Sequence, residues 1–140
     1  MILYNYLTEF KIDNEEVFSS WLTACIEFYG YKISEVSYIF CNEEYLLDLN
    51  KNHLSHDTLT DIITFDYTES KSVCADLFIS VERIKHNATL FKVTFDRELM
   101  RVMVHGLLHC MGFDDKTEIS KSQMRKEEDK CLKLFNECST

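Results

Sequence analysis

His105-Gly106-Leu107-Leu108-His109-Cys110-Met111-Gly112-Phe113-Asp114-Asp115 gathers three candidate metal ligands around one helix end. On an α-helix, residues four apart lie about 40° and about 6 Å from each other, so both imidazoles leave the same face and can share one ion. Gly112 falls where helices commonly stop in a left-handed turn, and the chain beyond it can fold back to bring Asp114 or Asp115 toward that ion. Counted from His105, the next His is at +4, a Gly at +7 and Asp115 at +10. That is the ligand spacing of a metzincin helix with a carboxylate in place of its last His. Cys110 points about 100° away from His109 and is not a ligand candidate. A zincin peptidase carries a Glu directly after its first His as general base, and Gly106 stands there instead. Peptide hydrolysis therefore lacks its usual proton acceptor, while a metal-activated water remains chemically available for another substrate.

Upstream, Thr94 caps this helix, and Phe95, Leu99, Val102, Met103, Leu107 and Leu108 give it an apolar face. Four extended runs are expected: residues 2–7, 35–41, 61–67 and 73–80, the third of them central or near-central in a sheet. Further helices are expected from an N-cap at Asp13 to Gly30, from a cap at Asn42 to about His53, over about 81–90, and over about 120–136, where Met124, Cys131, Leu132 and Phe135 share a stripe. Residues 54–60 read as a loop and 68–72 as a turn. This order predicts an α+β fold: one domain over 1–140, a mixed sheet of about four strands covered by helices, and a metzincin-like metal helix.

The chain has 140 residues, 46% apolar and 28% charged, with 3 Gly and no Pro, which excludes a disordered or low-complexity protein. No signal peptide and no apolar run of membrane-spanning length is visible, so the expectation is a soluble cytoplasmic protein without a membrane partner. Its six cysteines (Cys25, Cys41, Cys74, Cys110, Cys131, Cys138) form no C-x-x-C pair and read as reduced, mostly buried small hydrophobes. A net charge of −9 argues against a general polyanion-binding surface. Any action on RNA must work through a restricted basic cleft or within a larger assembly.

With these residues in hand, the sequence resembles the YbeY endoribonucleases from about Leu49 to Leu132. That family's H-G-x-L-H-x-x-G-Y-D-H signature is similar to 105–115, its P-T-D-V-L-S-F element to Leu59-Thr60-Asp61-Ile62-Ile63-Thr64-Phe65, and its G-D-I strand to Ala75-Asp76-Leu77. Its downstream Met and Glu resemble Met124 and Glu128. The resemblance implies one zinc ion, or another divalent transition metal, held by His105, His109 and Asp115. It also implies single-strand-specific RNA cleavage in ribosomal RNA maturation and ribosome quality control, with ribosomal RNA precursors and the ribosome as partners. Asp115 stands where the family has its last His, which lowers the charge of the site and makes the ion a weaker Lewis acid. Leu54 takes the place of a family Arg, leaving that role without an evident holder, and Leu59 and Ala75 replace a Pro and a Gly.

Asp61 and Asp76 are candidates either for active-site carboxylates or for simple backbone acceptors at strand ends. Arg83, Lys85, Lys92, Arg97 and Arg101 form the main basic concentration, fit for phosphates or for a solvated helix face. His53, His56 and His86 lack ligand spacing with one another and read as ordinary loop or surface residues. The alternatives to a nuclease are a non-catalytic RNA- or ribosome-associated factor with a structural metal, and a metal-dependent hydrolase of another substrate.

Overall fold

The structure, a computed structural model, describes the backbone of residues 1–54 and 60–138 and the side chains of residues 1–51 and 60–136. The readings made for His53, Leu54, His56, Leu59 and Cys138, and for positions 55–59 of the expected 54–60 loop, concern side chains or backbone outside these residues. The element order is β1 (Ile2–Tyr6), α1 (Glu15–Phe28), β2 (Lys32–Cys41), α2 (Glu43–Leu54), β3 (Ile62–Asp66), β4 (Ser72–Ser80), α3 (Val81–Phe91), α4 (Phe95–Cys110) and α5 (Glu118–Cys138). The strands form one mixed sheet in the order β1-β2-β4-β3, which is the expected α+β architecture. β1 and β4 run parallel to β2, with Val36 opposite Ile2 on one side and Ala75 on the other, whereas β3 runs antiparallel to β4 with Thr64 opposite Leu77.

Two local expectations are corrected. β3 is an edge strand, not a central one. Its apolar run has a different cause: both of its faces are covered, Ile62 and Thr64 lying toward α4 and Ile63 and Phe65 toward α2. The first helix is capped one residue later than expected, by Asn14, whose side-chain oxygen accepts from the Val17 N–H at 3.2 Å. The other caps fall where expected, with Asn42 Oδ1 accepting from the Tyr45 N–H and Thr94 Oγ1 from the Arg97 N–H.

The main core lies between the sheet and helices α1, α4 and α5. Val36, Tyr38 and Phe40 of β2 and Val73, Ala75, Leu77 and Ile79 of β4 meet Trp21, Leu22, Leu99, Met103, Leu107 and Leu108 there. Alternation along β4 buries one set of side chains against α4 and turns Phe78 to the other face, where Leu46 of α2 closes a smaller cluster. Two hydrogen bonds fix the helices in register. The Tyr38 hydroxyl donates to the Met103 carbonyl of α4 at 2.9 Å, and the Trp21 indole N–H of α1 donates to the Cys131 carbonyl of α5 at 2.7 Å. Cys25, Cys41, Cys110 and Cys131 are buried and Cys74 is half-buried, in line with the reading of cysteines as small hydrophobes. Among the described residues no helix is long and apolar enough to cross a membrane.

Candidate metal centre

α4 ends as the sequence requires. Gly112 takes a left-handed conformation with φ of 98°, its N–H donating to the His109 carbonyl (3.1 Å) and that of Phe113 to Leu108 (3.1 Å). This is a Schellman turn, and a side chain at Gly112 would strain it. It reverses the chain so that Asp115 returns to the His105 side of the helix. His105 Nε2 lies 3.5 Å from Asp115 Oδ2. Asp114 is used otherwise: its Oδ1 accepts from the Lys116 N–H at 3.2 Å, and hydrogen bonding from Ser120 and Lys116 holds its carboxyl below the usual range. Of the two aspartates, Asp115 is the one facing His105.

The other nitrogen of His105 is engaged by a residue far along the chain. Glu128 of α5 places Oε2 at 2.7 Å from Nδ1, and Arg101, one turn before His105 on α4, holds the other Glu128 oxygen at 3.0 Å and Asp129 at 2.8 Å. Glu128 is only 5% exposed, so this is a buried, fully paired carboxylate. Burial pulls the His105 imidazole down, but the Glu128 hydrogen bond and the charges of Glu128, Asp115 and Asp61 outweigh it and leave the group above its ordinary value. Cys110 is a protonated thiol, pushed up to about 12 by burial.

The donor set can be tested against a divalent ion. Two ligands about 2.1 Å from a tetrahedral ion lie about 3.4 Å apart, which is the separation of His105 Nε2 and Asp115 Oδ2. A histidine ligand also usually donates its other N–H to a carboxylate, which fixes the tautomer and aims the free lone pair. Glu128 does this for His105. His109 stands apart on the exposed side, its ring 6.3 Å from that of His105 and turned by 80°. Among the described residues no three His, Cys, Asp or Glu side chains converge on one point. The fit therefore rests on the His105–Asp115 pair and its supporting carboxylate, with His109 one turn away.

These residues open onto a cleft of about 430 Å³ lined by α4 (Glu98, Arg101, Val102, His105), by α5 (Lys121, Met124, Arg125, Glu128), and by Asp61, Ile62, Phe91 and Asp115. The structure separates the two candidate aspartates. Asp61 lies in the cleft, where burial raises its carboxyl, and Asn87 Nδ2 donates to it at 3.4 Å. Asp76 alternates with the core residues of β4 and belongs to the face of the sheet away from α4. The basic concentration is divided too: Arg83 pairs with Glu43 at 3.2 Å, Arg101 serves Glu128, and neither Lys85 nor Arg97 lines the cleft. His86 is exposed on α3.

Gly106 has a packing role. A Cβ built there would collide with the Leu77 side chain, lie 2.9 Å from Ile62 Cδ1 and 3.3 Å from Thr64 Oγ1. α4 therefore rests on β3 and β4 at this residue, and the position where a peptidase keeps its base faces the sheet.

Comparison with known proteins bears on the chain as a whole. The family model for Endoribonuclease YbeY matches residues 4–136. An Endoribonuclease YbeY of Flavobacterium johnsoniae is 47% identical over 136 residues, covering 97% of this chain and 98% of its own. That of Karelsulcia muelleri is 43% identical over 129 residues, covering 92% of each. The solution structure of TM1509 from Thermotoga maritima superposes with a TM-score of 0.67 at 21% identity, covering 96% of this chain and 89% of that one, and so shares the fold. A match of this length and identity settles the matter of kinship: the chain belongs to the Endoribonuclease YbeY family.

Proposed function

We propose that the protein is a metal-dependent endoribonuclease that cuts single-stranded RNA, acting in the cytoplasm on ribosomal RNA precursors and in ribosome quality control. Family membership supports the RNA endonuclease reading. The observation that carries the metal is His105, held by Glu128 at one ring nitrogen and facing Asp115 with the other. His105, His109 and Asp115 would hold zinc or another divalent transition ion. When bound, such an ion supplies Lewis acidity toward a phosphodiester and acidifies a nucleophilic water.

The chain's own residues do the rest. Glu128 keeps the His105 Nδ1 proton in place, and Arg101 keeps Glu128 from turning away. Asp61 and Glu98, both raised above their ordinary values chiefly by burial, line the cleft where a carboxyl can hold or accept a proton. Met124, Val102 and Ile62 provide apolar lining of the cleft beside the pair.

The test measures bound metal and cleavage of labelled single-stranded and duplex RNA in parallel for wild type, His109→Ala and Asp115→Ala. Wild type is expected to hold one ion per chain and to cut the single strand; both variants are expected to lose metal and cleavage together. Metal retained by either variant removes that residue from the ligand set. Cleavage that persists after the metal is lost overturns metal dependence.

A further inference from the structure

The cleft has a second wall that the metal site does not use. α5 turns Lys121, Arg125 and Glu128 toward it at helical spacing, and the end of α3 contributes Phe91. Glu128 is consumed by His105 and Arg101, but among the described residues the Lys121 ammonium makes only a loose 3.8 Å contact with the almost fully exposed Glu118 side chain. The Arg125 charge reaches into the cleft far enough to pull the Glu98 carboxyl down against its burial. Phe91 is 53% exposed although it lines the cleft, and it sits in an apolar lip with Leu90 at 62% and Val93 at 38%. Its place is fixed by the helix end, where Lys92 adopts a left-handed cap with φ of 58° and the Val93 N–H donates to the Ala88 carbonyl at 3.0 Å.

The two sides of the cleft differ in sign. Arg101 and Glu128 pair with each other between the helices; of the remaining charges Asp61 and Glu98 lie on the β3 and α4 side and Lys121 and Arg125 on α5, so a phosphate entering the cleft is pushed toward α5. In a protein of net charge −9, this is where a polyanion finds cations next to His105. A guanidinium binds two phosphate oxygens at once, and an exposed phenyl ring accepts the face of any unpaired base.

We infer that Phe91 and Arg125, with Lys121 beside it, form a nucleotide subsite in which a base stacks on Phe91 and its phosphate is held by Arg125, presenting one unstacked nucleotide to His105. The inference rests on the proposed nuclease reading and adds to it the residues that select an unpaired strand. A base stacked within a duplex cannot reach the ring. The subsite discriminates strand pairing, not sequence.

Binding of a short fluorescein-labelled, hydrolysis-resistant phosphorothioate oligouridylate, and of the same strand annealed to oligoadenylate, is measured by anisotropy on the protein as purified, with no chelator added. Phe91→Ala is expected to weaken single-strand binding about tenfold while Phe91→Trp retains it, the size expected for one base–aromatic stack. Arg125→Ala is expected to weaken binding and to reduce the slope of log K against log salt by about 0.7, one phosphate contact, with Arg125→Lys recovering the slope. Metal content is expected to stay at the wild-type level in all four, since none is a proposed ligand. Wild-type affinity in Phe91→Ala and Arg125→Ala, or an equal loss toward the duplex, overturns the subsite. Wild type that carries no metal and cuts no RNA overturns the nuclease reading instead, and wild type that binds no RNA overturns both.

Discussion

Gly106→Ala sets two opposing effects against each other. In an exposed helix interior the change is favourable by about 1 kcal/mol, because Gly loses more backbone freedom on folding. At Gly106 the new methyl meets Leu77, Ile62 Cδ1 at 2.9 Å and Thr64 Oγ1 at 3.3 Å. Leu77 is wholly buried in the main core, so its methyl has nowhere empty to go. Overpacking of this kind costs about 1–3 kcal/mol, and three neighbours on one side place this case in the upper part of that range. The net expectation is a loss of about 1–2 kcal/mol after the propensity gain is subtracted. In a chain of this length that is a fall in Tm of about 3–6 °C. Calorimetry and urea unfolding read it directly. A Tm equal to or above wild type refutes the reasoning, because it shows that α4 does not rest on the sheet at this residue. The same variant reports on the site: a lifted α4 moves His105, so metal affinity is expected to fall along with stability.

Glu128→Gln tests the support behind His105. Losing such an outer carboxylate typically costs 10- to 100-fold in metal affinity, and a competition titration against a chromophoric chelator is expected to show a loss of about tenfold or more; unchanged affinity removes Glu128 from the site. Glu98→Gln tests electrostatics. Burial, and then the Asp61 charge, raise the Glu98 carboxyl above its ordinary value. A folded-state pKa above the unfolded one contributes stability that is complete below the unfolded pKa and is lost as pH rises through the folded one. The variant is therefore expected to match wild type below about pH 4 and to be the more stable of the two at neutral pH, as measured by urea unfolding across that range; a variant less stable than wild type at pH 7 refutes it.

The parts of the fold visible in the sequence are those governed by neighbours along the chain. The α4 stripe, its Thr94 cap and the Gly112 turn follow from local periodicity and from the left-handed conformation that Gly tolerates. The edge position of β3 was not legible, because apolar alternation reports which faces are covered and says nothing about lateral partners. Asn14 was missed in favour of Asp13, since two adjacent capping side chains compete and only the hydrogen bond to Val17 decides between them. Gly106 looked like an absent general base and is a contact between layers. The partners of His105 were harder still. Spacing on one helix cannot see Glu128, which is 23 residues away. A signal was present nonetheless: Glu128 interrupts the apolar stripe of Met124, Cys131 and Leu132 with charge, and a charge within a packed stripe asks for a partner on the facing helix.

The indole of Trp21 carries one more consequence. It is the chain's single tryptophan, fully buried, hydrogen-bonded to the Cys131 carbonyl and edge-on to Phe135 at 5.5 Å, both on α5. α5 is also the helix that brings Glu128 to His105. Intrinsic fluorescence of this protein is thus an optical gauge of one docking event. Detachment of α5 exposes the indole to water and red-shifts its emission, so the light that reports unfolding also reports, with no label added, whether α4 still has its supporting wall.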